Sequence, residues 1–278
     1  IKFILSITAL GSIFKSICSF ENCDGSYRMK LGFIGFGNMA QALANGLIYK
    51  NAVRAGQIYA CAKNWDKLCK NTGPKGFNPC RDSKELADSA ELIIIAVKPY
   101  LVEEVIKPVK EELAGKIVIS VAANFTFDQY ERILAPNTHH LSTLPNTPVS
   151  VGEGVILCEN KNSLTPGEYK SFTDTKNLGI AGTITGCGPA FASMFIEALA
   201  DAAVMHGLPR DISYRLASQT VAGTGKLQLE TGTHPGAMKD AVCSPGGTTI
   251  VGVAALERKG FRGAVIDAVD AIQTKRNS

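Results

Sequence analysis

The chain lacks the usual marks of a metalloprotein or a disulfide scaffold. Its eight cysteines stand at positions 18, 23, 61, 69, 80, 158, 187 and 243 with no CxxC pair, and its four histidines are not clustered with them. That spacing offers no zinc-ligand set. In a chain of 278 residues it reads as buried free thiols in a reducing compartment, so a cytoplasmic location is expected. Charged residues are scarce, at 19%, and the net charge of +4 is scattered rather than gathered, so a nucleic-acid footprint is not expected. No Ser–His–Asp arrangement stands out. His139 and His140 sit near a strand, His206 and His234 at helix ends, all reading as structural. Glu197 and Asp201 share a helix face and read as a packed or solvated pair, not a catalytic dyad. From Met29 onward no segment reads as a membrane span.

Hydrophobic residues make up 45%, enough for a sizeable core and too many for a disordered chain, and the length suits two domains. The first 28 residues stand apart. The apolar stretch from Phe3 to Phe14, between Lys2 and Lys15, is too short to span a bilayer and has the look of a signal h-region. The favoured expectation is that residues 1–28 lie upstream of the real start, because Met29 opens directly into the strand-like run Lys30-Leu31-Gly32-Phe33-Ile34.

Short apolar runs at 32–34, 58–61, 92–97, 117–121 and 140–144 alternate with helical patterns at 41–49, 66–70, 84–90, 102–113 and 127–134. The last carries Thr126 and Gln129 in capping-box spacing. Alternation of this kind predicts a parallel sheet with helices on both faces, and the run 92–97 is apolar on both parities, as a doubly buried strand requires. After about residue 182 the pattern becomes helical at 189–206, 211–229, 235–242, 249–259 and 262–275, with Pro189 and Pro209 in first-turn positions. The fold class is therefore α/β, a Rossmann-type parallel sheet domain over 29–180 followed by an all-helical domain over 181–278. The helix 189–206 is apolar nearly all round, and so short a domain can hardly bury it alone, which predicts a dimer.

Chemistry gathers at a few loops. Gly35-Phe36-Gly37-Asn38-Met39-Ala40 has the G-x-G-x-x-A pattern between a strand and a helix. Gly35 permits the tight turn, Gly37 lets a pyrophosphate approach the backbone, and Ala40 allows close helix–strand packing. The second strand ends in Ala60-Cys61-Ala62-Lys63-Asn64-Trp65, without the acid that holds an NAD ribose. Lys63 and Asn64 would accept a 2′-phosphate, so NADPH is expected, with NADH as the alternative. Lys98, in Ala96-Val97-Lys98-Pro99, and the small pair Ala122 and Ala123 follow later strands, placing them near a phosphate or the nicotinamide. In Cys243-Ser244-Pro245-Gly246-Gly247-Thr248-Thr249, two glycines precede two threonines at a helix start. Free backbone amides there suit a carboxylate, with hydroxyls for a neighbouring polar atom.

These residues together resemble the pyrroline-5-carboxylate reductases, from Met29 to about Lys275. The resemblance runs through Gly32 to Ala40, Ala96-Val97-Lys98-Pro99, Pro145-Asn146-Thr147-Pro148, Val151-Gly152-Glu153-Gly154, Gly186-Cys187-Gly188-Pro189-Ala190, and 197–202. It is most specific over Asp240-Ala241-Val242 and the loop that follows. It implies hydride transfer from NAD(P)H to the cyclic imine of L-1-pyrroline-5-carboxylate, giving L-proline, in a dimer built on the helical domain and often in a ring of dimers. By the family pattern, the substrate carboxylate rests on the amides of 244–249, involving Ser244, Gly246, Gly247, Thr248 and Thr249. The Thr249 hydroxyl lies near the ring nitrogen as the catalytic contact. Ile34, Phe36, Asn38, Met39, Ala96, Val97 and Pro99 join the cofactor set. Asn124 stands where the family commonly has Gly, Ser83 replaces an Asn that reaches the adenine-side ribose, and the stretch 155–185 looks shorter than usual. A β-hydroxyacid dehydrogenase is disfavoured because 186–196 holds no Lys. A non-catalytic NADP(H) sensor would not need the second glycine loop.

Overall fold

A computed structural model describes residues 29–123, 125–159, 162–164 and 178–277, so the expectations about residues 1–28 and Asn124 lie outside it. The chain divides into two compact units, Ile1–Gly186 and Cys187–Ser278.

In the first unit, strands β1 (Leu31–Ile34), β2 (Ile58–Cys61), β3 (Asn78–Pro79), β4 (Leu92–Ile95), β5 (Ile117–Ser120), β6 (His139–Pro145) and β7 (Ile156–Cys158) form one sheet in the order 3-2-1-4-5-6-7. Every pairing is parallel except β6 with β7. Helices α1 (Asn38–Tyr49), α2 (Trp65–Thr72), α3 (Ser83–Ser89), α4 (Val102–Ile106) and α5 (Phe127–Ile133) lie between the strands in sequence. The order reverses between β1 and β4, which opens a crevice at the carboxyl ends of the strands. Period-two alternation builds both cores. Leu92 and Ile94 pack with Phe33, Leu43 and Leu47 on one face, while Ile93 and Ile95 pack with Leu86, Val102 and Ile106 on the other.

The expected helix 102–113 stops early: Pro108 follows two residues after Ile106, and the chain continues as a 3-10 turn, Lys107–Val109. Strands β3 and β7 are additions to the sequence reading, and both are too short to show a period. Cys61, Cys69, Cys80, Cys158, Cys187 and Cys243 are free thiols. Burial pushes Cys61 and Cys158 up to about 12 and Cys80 up to about 11, so these three are unreactive.

Helix α6 (Leu178–Met205) crosses the division between the units, and α7 (Arg210–Thr231), α8 (Pro235–Ala241), α9 (Thr248–Arg258) and α10 (Phe261–Asn277) follow it. No strand follows Cys158 among the described residues. Neither proline stands in a first turn: Pro209 is the N-cap residue of α7, one place before it, and Pro189 lies inside α6. Proline has no amide to give the carbonyl four residues back, that of Thr185. The Asn146 side chain supplies the missing donor, its Nδ2 lying 3.0 Å from the Thr185 carbonyl oxygen. The helix therefore starts well before residue 189, and Ile180–Met205 is long and apolar enough to cross a membrane by length and composition, which the sequence reading did not anticipate. Little of it is covered within one chain: Met194 is 68% exposed and Met205 84%. Large apolar residues stay exposed on the neighbouring helices too, among them Leu216, Leu229, Val251 and Ile266.

Candidate active site

The first loop is shaped by backbone crowding. Gly35 has φ +89°, and a Cβ there would lie 2.7 Å from both the Ala96 carbonyl oxygen and Val97 Cγ1. Only glycine fits that turn. Its N–H donates to the Cys61 carbonyl at 2.9 Å, tying the loop to the end of β2. Gly37 then caps α1 in extended conformation, with open space where a Cβ would stand. No side chain caps the helix and no acid occupies its first turn, so the leading amides of α1 and its positive dipole end are left for an anion. Ile34 and Phe36 are buried, and Phe36 packs edge-on against Phe33 and Phe77, so these two can serve a cofactor only through the backbone. Ala40, in the first turn of α1, is buried, as its small size suggested.

The loops after β2 and β3 leave the same sheet edge, because Ala60 pairs with Pro79 and the Cys80 N–H donates to the Ala60 carbonyl at 2.8 Å. Lys63 is exposed. Asn64 caps α2, its Oδ1 accepting from the Lys67 N–H at 2.9 Å, which leaves its amide NH2 for other partners. Ser83 begins α3, capped by Asp82. Trp65 and Arg81 were not singled out from sequence, yet the Arg81 guanidinium lies 3.8 Å over the Trp65 ring.

On the other side of the crevice, Lys98 is exposed at the start of a short 3-10 turn, Pro99–Leu101, after β4. The loop after β5 rests on a buried polar network. Ser120 Oγ accepts from the Ala122 N–H at 3.1 Å and from the Tyr130 hydroxyl at 2.7 Å. Thr143 donates to the Ser120 carbonyl, Ser142 to the Phe125 carbonyl, and the buried Glu159 accepts from the Phe127 N–H. Ala122 is buried and Ala123 exposed, so the network fixes the loop while the small side chains keep its surface open. His140 belongs to this interior. Its ring stacks on Phe127 with centroids 4.4 Å apart, and Nδ1 lies 3.0 Å from Ser163 Oγ. Burial holds its pKa below the ordinary histidine value, against the opposing hydrogen bond to the Phe127 carbonyl and the charge of Glu131. Apart from the local Ser120–Ala122 contact, none of these partners was legible from spacing, since each contact joins residues far apart in the chain.

In the second unit, Pro245 and a left-handed Gly246 (φ +70°) turn the chain between Ser244 and Gly247, and the Gly247 N–H donates to the Ser244 carbonyl at 3.0 Å. This is the residue pattern of a type II turn. Gly247 caps α9 without any side-chain hydrogen bond, leaving the amides of Thr248 and Thr249 at an uncapped helix start. Both threonines are exposed. Asp201 pairs with Arg210 rather than forming a dyad, and His234 caps α8, accepting from the Gly236 N–H at 3.1 Å.

A 3-2-1-4-5-6 sheet with an uncapped glycine loop after β1, joined to an all-helical unit, defines a two-unit nicotinamide-dinucleotide oxidoreductase. The family described as "NADP oxidoreductase coenzyme F420-dependent" matches residues 30–124, and "Pyrroline-5-carboxylate reductase dimerisation" matches residues 175–278. The pyrroline-5-carboxylate reductase of Treponema pallidum is 44% identical over 259 residues, covering 87% of this chain and 98% of that protein. The Escherichia coli enzyme of the same name is 40% identical over 260 residues, covering 88% and 96%. A crystal structure of Plasmodium falciparum pyrroline carboxylate reductase with NADP bound superposes with a TM-score of 0.75 at 30% identity, covering 89% of this chain and 96% of that one. The chain belongs to the pyrroline-5-carboxylate reductase family.

Proposed function

We infer that the protein reduces L-1-pyrroline-5-carboxylate to L-proline with NADPH, the last step of proline biosynthesis. The observation that carries the reading is the pairing of two uncapped glycine loops in a chain of this family, one suited to a pyrophosphate and the other to a carboxylate. The first loop fits a dinucleotide because the Gly35 turn brings the backbone close and Gly37 leaves open space above α1. We assign the cofactor to Ile34, Gly35, Phe36, Gly37, Asn38 and Met39, with Lys63, Asn64 and Ser83 on the adenosine side. Ala96, Val97, Lys98, Pro99, Ala122 and Ala123 take the nicotinamide side. NADPH, when bound, supplies the hydride. The substrate carboxylate is assigned to the amides around Ser244, Gly246, Gly247, Thr248 and Thr249. The protonated C=N of the imine is already electrophilic, so the protein has mainly to orient it. Thr249 does so by holding the ring nitrogen, which keeps its proton and becomes the secondary amine as its carbon gains the hydride. Self-association runs through the helical unit. A ring of dimers and a cytoplasmic site of action complete the proposal.

The test is NADPH oxidation with and without L-1-pyrroline-5-carboxylate, with NADH run beside it. Substrate-dependent oxidation, faster with NADPH, is expected. A folded protein that binds NADPH but oxidises none in the presence of substrate would overturn the reading in favour of a non-catalytic sensor.

A further inference from the structure

The corner where β2 and β3 end holds a cation that the assignments above do not use. Arg81 follows β3, and its guanidinium carbon stands 3.8 Å from the centroid of the Trp65 ring. Two acids stand close to it in sequence, and both are engaged with backbone amides. Asp82 accepts from the Lys84 and Glu85 N–H groups, and Glu85 accepts from the backbone N–H of Arg81, not from its guanidinium. Among the described residues no carboxylate forms an ion pair with the Arg81 side chain. Arg81 is exposed, and the hydrogen bonds among the described residues do not engage its side-chain N–H groups, which can therefore meet an anion. The contact with Trp65 restrains the side chain, so less freedom remains to be lost when an anion arrives. Lys63 shares the corner, but it is exposed and forms no ion pair among the described residues. The sheet puts this corner on the adenosine side of the crevice: β2 pairs with β1, whose glycine loop takes the pyrophosphate, and β3 lies beyond β2.

We propose that Arg81, held on Trp65, is the main 2′-phosphate-binding residue and sets the preference for NADPH over NADH. The proposal rests on the dinucleotide reading above. A planar, always charged fork meets a phosphate through two parallel hydrogen bonds, where a lysine offers only a mobile point charge. Lys63 then contributes long-range attraction rather than discrimination.

Trp65 is the only tryptophan in the chain, so its emission reports on this corner alone. Adenosine 2′,5′-bisphosphate, titrated against the native protein, changes that emission saturably, and 5′-AMP binds at least about tenfold more weakly. Calorimetric titration of Arg81→Gln shows the NADPH dissociation constant raised about 10- to 100-fold, with a far smaller change for NADH. Lys63→Gln changes the NADPH to NADH ratio less, and Arg81→Lys falls between native and Arg81→Gln. An Arg81→Gln protein that keeps the native ratio of the two dissociation constants overturns the proposal while leaving the reductase reading intact. A native protein that binds neither NADPH nor the bisphosphate overturns both.

Discussion

At the scale of single residues, position decides whether a polar group does chemistry or holds the interior. Thr249 is exposed at an uncapped helix start, while His140 is enclosed between Phe127 and Ser163. If Thr249 orients the imine rather than supplying an obligate proton, Thr249→Ala lowers turnover about 10- to 100-fold and leaves a measurable rate. Loss of all activity at saturating substrate, in a folded variant, would make it an obligate acid instead. His140 predicts a pH effect of definite sign. Its folded pKa is depressed by burial, so below the ordinary histidine value of about 6.5 the unfolded chain binds the proton first. The stability it confers is complete above that value and is lost as the pH falls below it, by at most about 1.4 kcal/mol per pH unit. Urea midpoints between pH 7.5 and 5.5 should fall less steeply in His140→Gln than in the native chain; parallel curves would show that His140 does not titrate there. Glycines such as Gly35 were legible because a motif demands a missing side chain. Arg81 was not, since its value comes from a ring at the start of α2, brought near by the β2–β3 register.

At the scale of elements, the long strands and helices announced themselves by period, and the breaks came where a single contact overrode a local rule. Pro189 is the clearest case. A first-turn position is the sound local reading of a proline, yet α6 begins at Leu178 because Asn146 satisfies the carbonyl that proline leaves open. The same side chain accepts from the Val155 N–H at 2.8 Å, fixing the turn between β6 and β7. Asn146 is therefore a structural brace, although its motif was first read only as a family mark. Asn146→Leu removes both hydrogen bonds and leaves a part-buried carbonyl and amide without partners, at a cost of about 2 to 4 kcal/mol. Chemical denaturation would measure it, and a change under 0.5 kcal/mol would show that water replaces the side chain without loss. Strands β3 and β7 stayed hidden for another reason: two or three residues carry no alternation, and only their neighbours define them.

At the scale of the whole molecule, the helical unit exposes more apolar surface than one soluble copy can carry. Met194, Leu216, Leu229, Val251 and Ile266 are each more than half exposed, on α6, α7, α9 and α10. An apolar helix left open on most sides needs either lipid or protein around it. The match of residues 175–278 to a dimerisation family favours protein, which also accounts for a span-length apolar helix in a chain that carries a dinucleotide fold. The all-round apolar pattern was readable in sequence, but its meaning required the exposures, since a core helix shows the same composition. Native protein at micromolar concentration should sediment as a dimer or a multiple of one, without detergent. Met194→Glu places a charge on the exposed stripe, where burial in an interface would cost several kcal/mol, and should shift the population toward monomer and lower the melting temperature. Native protein that sediments as a monomer would reject the interface, and recovery only in the membrane fraction would assign α6 to lipid instead.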